Sequence, residues 1–182
     1  LRQYGPNRLP LLEHVFVSGG YREGSNNRAI NCPEAAVIVQ RIAEMCVDSR
    51  YNGKTMGVVV LQGEAQAALI ENQLLERLGA EEMERRRLVC GNPYSFQGDE
   101  RDIMFLSLVA ASNERIGPLT KAADERRFNV AASRARDMMI LFHSVTCDDL
   151  SSSCLRRRLL EFFENTRPQQ IAGIERDELE RR

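Results

Sequence analysis

The sequence contains no tryptophan, two histidines, and only two lysines, Lys54 and Lys121, among 182 residues. With so little histidine, the cysteines would have to supply any zinc site. Cys32, Cys46, Cys90, Cys147 and Cys154 are scattered, with no Cys-x-x-Cys pair and no zinc-ligand spacing. No bound metal is therefore expected. An odd, unpaired set of thiols fits a reducing cytoplasm rather than a disulfide framework. No apolar run reaches the roughly 20 residues of a membrane span, and no signal peptide opens the sequence, so a cytoplasmic chain with no membrane partner is expected. The formal net charge is -1, so no global basic field announces nucleic acid. Nearly every positive charge is arginine. A genomic base bias explains that as well as function does, although arginine is the better fork for phosphate. The sequence begins at Leu1, and its first residues are polar and irregular, which leads us to expect a piece of a longer protein.

What is present is an ordinary globular balance, 43% hydrophobic and 28% charged, enough for one domain with a sizeable core. Leu1 to Pro10 carries two prolines and a Gly-Pro-Asn turn signal. Glu13 to Ser18 reads as a short strand, and Gly19 to Asn31 as a long polar loop. Asn31-Cys32-Pro33-Glu34 opens a helix, with Asn31 or Cys32 as cap, Pro33 in the first turn and Glu34 complementing the dipole. Its apolar spacing runs to about Val47. Thr55 to Leu61 is a continuous apolar run, as in a strand buried on both faces of a parallel sheet. A helix over 64–78 follows and ends at Gly79. Then come a charged short helix, Glu81 to Arg86, and a strand, Arg87 to Cys90. Ile103 to Val109 and Met138 to His143 are two more buried strands, with a helix over Asp124 to Arg136 between them. Ser151 to Ser153 caps a last helix, Cys154 to Asn165.

Strands alternating with helices predict an α/β fold: a three-layer domain around a mostly parallel sheet of about five strands. The expected organisation is a tail over 1–12, one domain over 13–167 and a charged tail over 168–182, with the isolated domain a monomer. In such sheets ligands gather beyond the carboxyl ends of the strands, where Gln62-Gly63-Glu64 and Ala111 to Glu114 fall. Gly53-Lys54-Thr55 is not a phosphate loop, because it leads into a strand instead of leaving one and opening a helix.

The chemistry concentrates between Asn92 and Arg136. In Ser95-Phe96-Gln97-Gly98-Asp99-Glu100-Arg101-Asp102, Gly98 permits a tight backbone path, Gln97 offers donor and acceptor, and ionised Glu100 only accepts. Such a carboxylate can hold a ribose hydroxyl pair, and Ser95 can meet a phosphodiester. By residue type alone, a polar turn before a buried strand is the slightly better account. Arg134 and Arg136 close the 124–136 helix, either as a solvated end or as cations for a transferring phosphoryl group. Taken singly, the solvated end is the better account. The two sets flanking one strand shift the balance.

The segment Ser95 to Asp102 and its following strand resemble motif V of superfamily 1 helicases. Arg127-Phe128-Asn129-Val130-Ala131-Ala132-Ser133-Arg134-Ala135-Arg136 resembles motif VI. The likeness is to the branch containing the nonsense-mediated-decay RNA helicase and its bacterial DNA-helicase-like cousins. It covers roughly Val15 to Val145. The resemblance implies a RecA-like, P-loop NTPase-type fold and the second of two motor domains of an ATP-dependent helicase. It implies Arg134 as the catalytic arginine finger, with Gln97, Gly98, Glu100, Arg134 and Arg136 on ATP, and Ser95 and Asn129 toward nucleic acid or in support of motif VI. It implies ATP and Mg2+ as cofactors of the full-length protein, with none expected on this piece. The implied partners are an N-terminal RecA-like domain and single-stranded nucleic acid, DNA before RNA. Relatives carry Thr-Pro-Tyr/Phe-Arg-x-Gln at motif IV. Here Leu61-Gln62-Gly63-Glu64-Ala65-Gln66 keeps only Gln66, so a stacking aromatic and a phosphate-binding arginine are missing. Neither Walker motif is present, so this chain alone is expected not to hydrolyse ATP. A non-catalytic module that keeps the fold is the alternative. An unrelated flavodoxin-like protein is a third, and it predicts no clustering of Gln97, Glu100 and Arg134.

Overall fold

A computed structural model describes residues 11–96 and 98–165. Five strands form one parallel sheet: β1 (Leu11–Phe16), β4 (Met56–Val60), β5 (Val89–Gly91), β6 (Arg101–Ala111) and β7 (Ala135–Ser144). Their spatial order is β1-β7-β6-β4-β5. Two more strands, β2 (Arg22–Glu23) and β3 (Ile30–Asn31), pair antiparallel in the polar loop. This is the α/β architecture of a RecA-like, P-loop NTPase-type domain.

The three layers follow from strand periodicity, since alternate residues of a strand face opposite sides. Along β6, Ile103 and Phe105 join a core with helices α1 (Cys32–Val47) and α2 (Ala65–Leu78). Met104, Leu106 and Leu108 join the opposite core with α4 (Ala122–Ala132) and a last helix, α5, over 155–165. Every residue of β4 and β6 is buried, which is why both read as unbroken apolar runs. Asn31 caps α1 by accepting the Glu34 N–H at 3.1 Å. A six-residue helix, α3 (Ala80–Arg85), follows Gly79. No helix among the described residues is long and apolar enough to cross a membrane.

The structure corrects two expectations. First, α4 stops at Ala132, so Arg134 and Arg136 do not close a helix. The Ser133 and Arg134 N–H groups finish the helix on the Val130 and Ala131 carbonyls. Ala135 then pairs with Arg101 of β6. Pairing with the neighbouring strand overrides local helix propensity at Ala135 and Arg136. Second, Gly19 to Asn31 is not wholly irregular. It carries the β2–β3 hairpin and a short 3-10 turn at Asn26–Arg28.

Gly53-Lys54-Thr55 is a structural turn, as expected. Lys54 pairs with Asp137 at 2.6 Å, and Thr55 donates from its N–H and hydroxyl to Asp102 at 2.9 and 3.1 Å.

Candidate nucleotide-facing edge

The stretch from Phe96 to Asp102 is anchored by its hydrophobic residue. Phe96 is fully buried in a 3-10 turn, Pro93–Phe96, that crosses the sheet between β5 and β6. Its ring lies against Gly57 of β4, and the Arg101 guanidinium sits 5.6 Å from the ring centroid. The chain then turns sharply. The Asp99 N–H donates to the Phe96 carbonyl at 2.9 Å, and Gly98 takes φ +74, a left-handed value that favours glycine. Asp99 accepts from Arg101 at 2.8 Å and faces Arg87 at 3.6 Å. The hydrogen bond from Arg101 holds the Asp99 carboxyl below its usual range, so this brace is ionised at neutral pH.

The chain at Glu100 and the chain at Arg134 run close together because β6 and β7 are neighbours that start together. The Arg101 N–H donates to the Arg134 carbonyl at 3.1 Å, which places residues far apart in sequence side by side. Arg134 is half-buried, and its Nε is buried with no hydrogen-bond partner among the described residues. Arg136, on β7, faces Glu100 at 3.4 Å and Asp102 at 3.8 Å. Gly98, Glu100, Arg134 and Arg136 therefore share one edge. Gln97 lies outside the described residues. This edge is at the amino ends of β6 and β7, not at the carboxyl ends where ligands were expected to gather.

The two residues expected toward nucleic acid are not brought together. Ser95 is exposed in the 3-10 turn, with its side chain against Gly91. Asn129 is exposed on α4, beside Phe128, Leu155 and Phe162 in a shallow groove against α5.

The carboxyl ends of β4 and β5 hold a second polar region. A cavity of about 190 Å3 is lined there by Gln62, Gly63, Glu64, Asn92, Tyr94 and Arg127, among others. Val60 of β4 lies opposite Ser107 of β6, six residues beyond Arg101. The cavity is thus about 20 Å along the strands from the Glu100 edge. Sequence reasoning passed over Tyr94. Its only signal was an aromatic between a proline and Ser95, just before a buried phenylalanine. The Gly63-Glu64 turn is closely packed in this region. Gly63 has φ +73, and a side chain there would meet the Asn26 carbonyl oxygen at 2.9 Å. The Glu64 N–H donates to the Asn27 carbonyl at 3.2 Å, so the polar loop closes over the place an aromatic would need.

Beneath these carboxyl ends, Glu34 is completely buried and gathers four donors. Its Oε1 accepts from the Ser107 hydroxyl at 2.7 Å and the Val109 N–H at 2.9 Å. Its Oε2 accepts from the Ser144 hydroxyl at 2.8 Å and the Asn31 amide at 3.3 Å. Val109 has φ +68 at an irregularity in the β6–β7 register, an uncommon conformation for a β-branched residue. Gln66 joins the network through Asn31 and Ser107. Burial raises the Glu34 carboxyl to about 7, against the pull of its hydrogen bonds.

A wider cleft of about 530 Å3 opens between the ends of α1, α2 and α3. Two of its arginines are occupied: Arg85 by Glu81 and Glu82, and Arg86 by Glu82 and the Cys46 and Tyr51 carbonyls. Among the described residues no group of three or more His, Cys, Asp or Glu is placed to hold a metal ion.

Comparison with known proteins bears on the whole domain. The family model described as an AAA domain (AAA_12) matches residues 8–145. An uncharacterized ATP-dependent helicase of Mycoplasma pneumoniae, an MG140 homolog, is 35% identical over 165 residues, which is 82% of this chain and 14% of that protein. The uncharacterized ATP-dependent helicase MG140 of Mycoplasma genitalium is 35% identical over 170 residues, 85% of this chain and 15% of its own length. A Danio rerio protein provisionally named helicase mov-10-B.1 is 26% identical over 149 residues, 73% of this chain and 14% of that protein. The chain thus spans about one seventh of the length of the curated relatives it matches. With the family model covering β1 through β7, the chain belongs to the AAA domain family.

Proposed function

We propose that the chain is the second RecA-like domain of a superfamily 1 helicase that uses ATP to move along single-stranded nucleic acid, DNA before RNA. The single observation that carries this is the adjacency of Glu100 and Arg134, fixed by the Arg101 N–H on the Arg134 carbonyl at 3.1 Å. Arg134 reaches toward the γ-phosphate of ATP held mainly by a facing domain, and offsets the charge that grows on the transferring phosphoryl group. Its buried Nε has no acceptor among the described residues to leave. Glu100 accepts from the ribose hydroxyls. Arg136 holds Glu100 in place until then. Both are about half exposed, so their 3.4 Å pair is worth at most about 1 kcal/mol and yields readily to a ligand. The facing domain supplies the phosphate loop and the Mg2+ ligands. When bound, Mg2+ would neutralise phosphate charge.

The test is Arg134→Ala in the full-length protein. ATP turnover should fall on the order of 10³-fold. Arg134→Lys should not restore it, because a point charge does not replace a planar fork. Near-normal turnover in either variant would sink the assignment. A second reading, a non-catalytic module, is favoured by one observation: Gly63 cannot carry the aromatic found in relatives, and Glu64 stands where they have arginine. Nucleic-acid-stimulated ATPase in the intact protein separates the two, and its complete absence would favour the module.

A further inference from the structure

We infer that His14 and His143 form a site for a divalent transition-metal ion of the zinc class, held between two imidazole nitrogens and completed by water. The ion ties the edge strand β1 to β7. Nothing in this rests on the helicase reading.

The sequence has two histidines, and the fold brings both together. They lie 129 residues apart, on neighbouring strands. In the β1–β7 register His14 stands opposite Leu141 and Phe16 opposite His143, so the two imidazoles sit diagonally on one face of the sheet. The His14 Nδ1 is 3.3 Å from the His143 Nε2. Two imidazole nitrogens bound to one tetrahedral zinc ion, each at about 2.0–2.1 Å, also stand about 3.3 Å apart. The ring centroids are 5.5 Å apart, against about 5.2 Å for two rings on a shared ion. A tilt of the half-buried His14 ring by a few tenths of an ångström closes that difference.

Three features suit the pair to an ion. First, the His143 Nδ1 lies 2.7 Å from the Val145 carbonyl oxygen, to which it can only donate. That contact fixes the tautomer and leaves the Nε2 lone pair facing His14. A metal-bound imidazole has the same kind of outer partner, a carbonyl or carboxylate on its second nitrogen. Second, His143 is buried, and burial holds its pKa below the ordinary value, so the ring is neutral and able to ligate at neutral pH. Third, Glu164, exposed near the end of α5, attracts positive charge at His143. The His14 Nδ1–H donates to the His143 lone pair. On binding, His14 gives up that proton and carries one on Nε2 instead, so the ring stays neutral and the ion replaces an N–H···N hydrogen bond.

Among the described residues no third ligating side chain joins the pair, so water takes the remaining positions. Imidazole nitrogens favour zinc, copper and nickel over magnesium and calcium, which prefer oxygen. β1 is at the edge of the sheet, with β7 as its one neighbour among the described residues. An edge strand is easier to detach than a central one, and an ion that binds only the joined strands opposes that opening.

The full chain is titrated with Zn2+ at neutral pH by calorimetry, and amide exchange is followed with and without the ion. One Zn2+ per chain should bind saturably at micromolar concentration, and exchange should slow at Glu13 to Phe16. Mg2+ should do neither. His14→Gln keeps a side-chain N–H for the His143 Nε2 and so preserves the strand pair. It should weaken Zn2+ uptake by about tenfold or more and abolish the slowing, since loss of even an outer partner of a metal ligand costs about tenfold. Cys32→Ser removes an exposed thiol, a competing zinc ligand, and should change neither readout. Lack of saturable uptake at micromolar Zn2+, uptake unchanged in His14→Gln, uptake lost in Cys32→Ser, or an unaltered exchange rate in β1 would each overturn the inference.

Discussion

Glu34 makes the folded state sensitive to pH in an unusual direction. Its carboxyl is raised from 4.5 to about 7 because burial penalises the charge more than four donors repay it. A raised folded value means the folded state holds the proton more tightly than the unfolded chain. The associated stability is fully present below about pH 4.5, and it is lost as pH rises through about 7. At 1.36 kcal/mol per unit, the full swing is about 3 kcal/mol. When protonated, Glu34 needs an acceptor, and the Ser144 hydroxyl, which already receives the Asn31 amide at 3.0 Å, can turn to provide one. Glu34→Gln removes the titration and keeps the shape. Its carbonyl still accepts from Ser107 and Val109, and its NH2 donates to Ser144, while the Asn31 amide loses one acceptor at a cost of about 1 kcal/mol. Two stability curves should therefore cross. At pH 4 the variant should be less stable by about 1 kcal/mol, near pH 5 the two should be about equal, and at pH 8 the variant should be more stable by about 2 kcal/mol. Urea unfolding of both proteins from pH 4 to 8 measures this. Groups common to both, including Asp99 and His143, cancel in the difference. Parallel curves, or a variant that loses ground as pH rises, would refute the reasoning.

Two backbone positions offer sharp tests beside those at Arg134 and His14. Gly57→Val places a Cβ 2.8 Å from the Phe96 ring and 2.9 Å from the Met104 sulfur; it should lower stability in urea unfolding by about 1–3 kcal/mol or more and loosen the Gly98 turn, which amide exchange at Asp99 would report. An unchanged exchange rate would mean Phe96 is not the anchor of that turn. Gly63→Phe puts an aromatic into a backbone with φ +73 and an oxygen 2.9 Å away, so it should destabilise by about 1–3 kcal/mol in thermal melts without gain in nucleotide affinity. Tighter binding in that variant would show that the loop over Gly63 yields easily.

Much of the architecture was legible because burial leaves its mark on residue type. β4 and β6 are buried on both faces, so their apolar runs stood out, and Asn31 with Pro33 and Glu34 announced the start of α1. The resemblance to two helicase motifs singles out Glu100 and Arg134, each within its own motif. Other features depend on contacts between distant residues, which local pattern does not carry. The helical reading ran on to Arg136 because Arg134, Ala135 and Arg136 are tolerable in a helix; only pairing with Arg101 makes Ala135 and Arg136 strand. The Glu34 network joins α1, α2, β6 and β7, and a helix-start glutamate looks the same in sequence whether it meets water or four buried donors. Tyr94 and Arg127 come from separate elements and share a cavity only because of how the chain crosses the sheet. Sequence alone determined the buried strands β4 and β6 and the start of α1, since hydrophobic burial is written in residue type and periodicity. Tertiary structure alone decided that the Glu100 and Arg134 segments lie side by side, because which strands are neighbours, and in what register, is settled by the packing of the whole sheet.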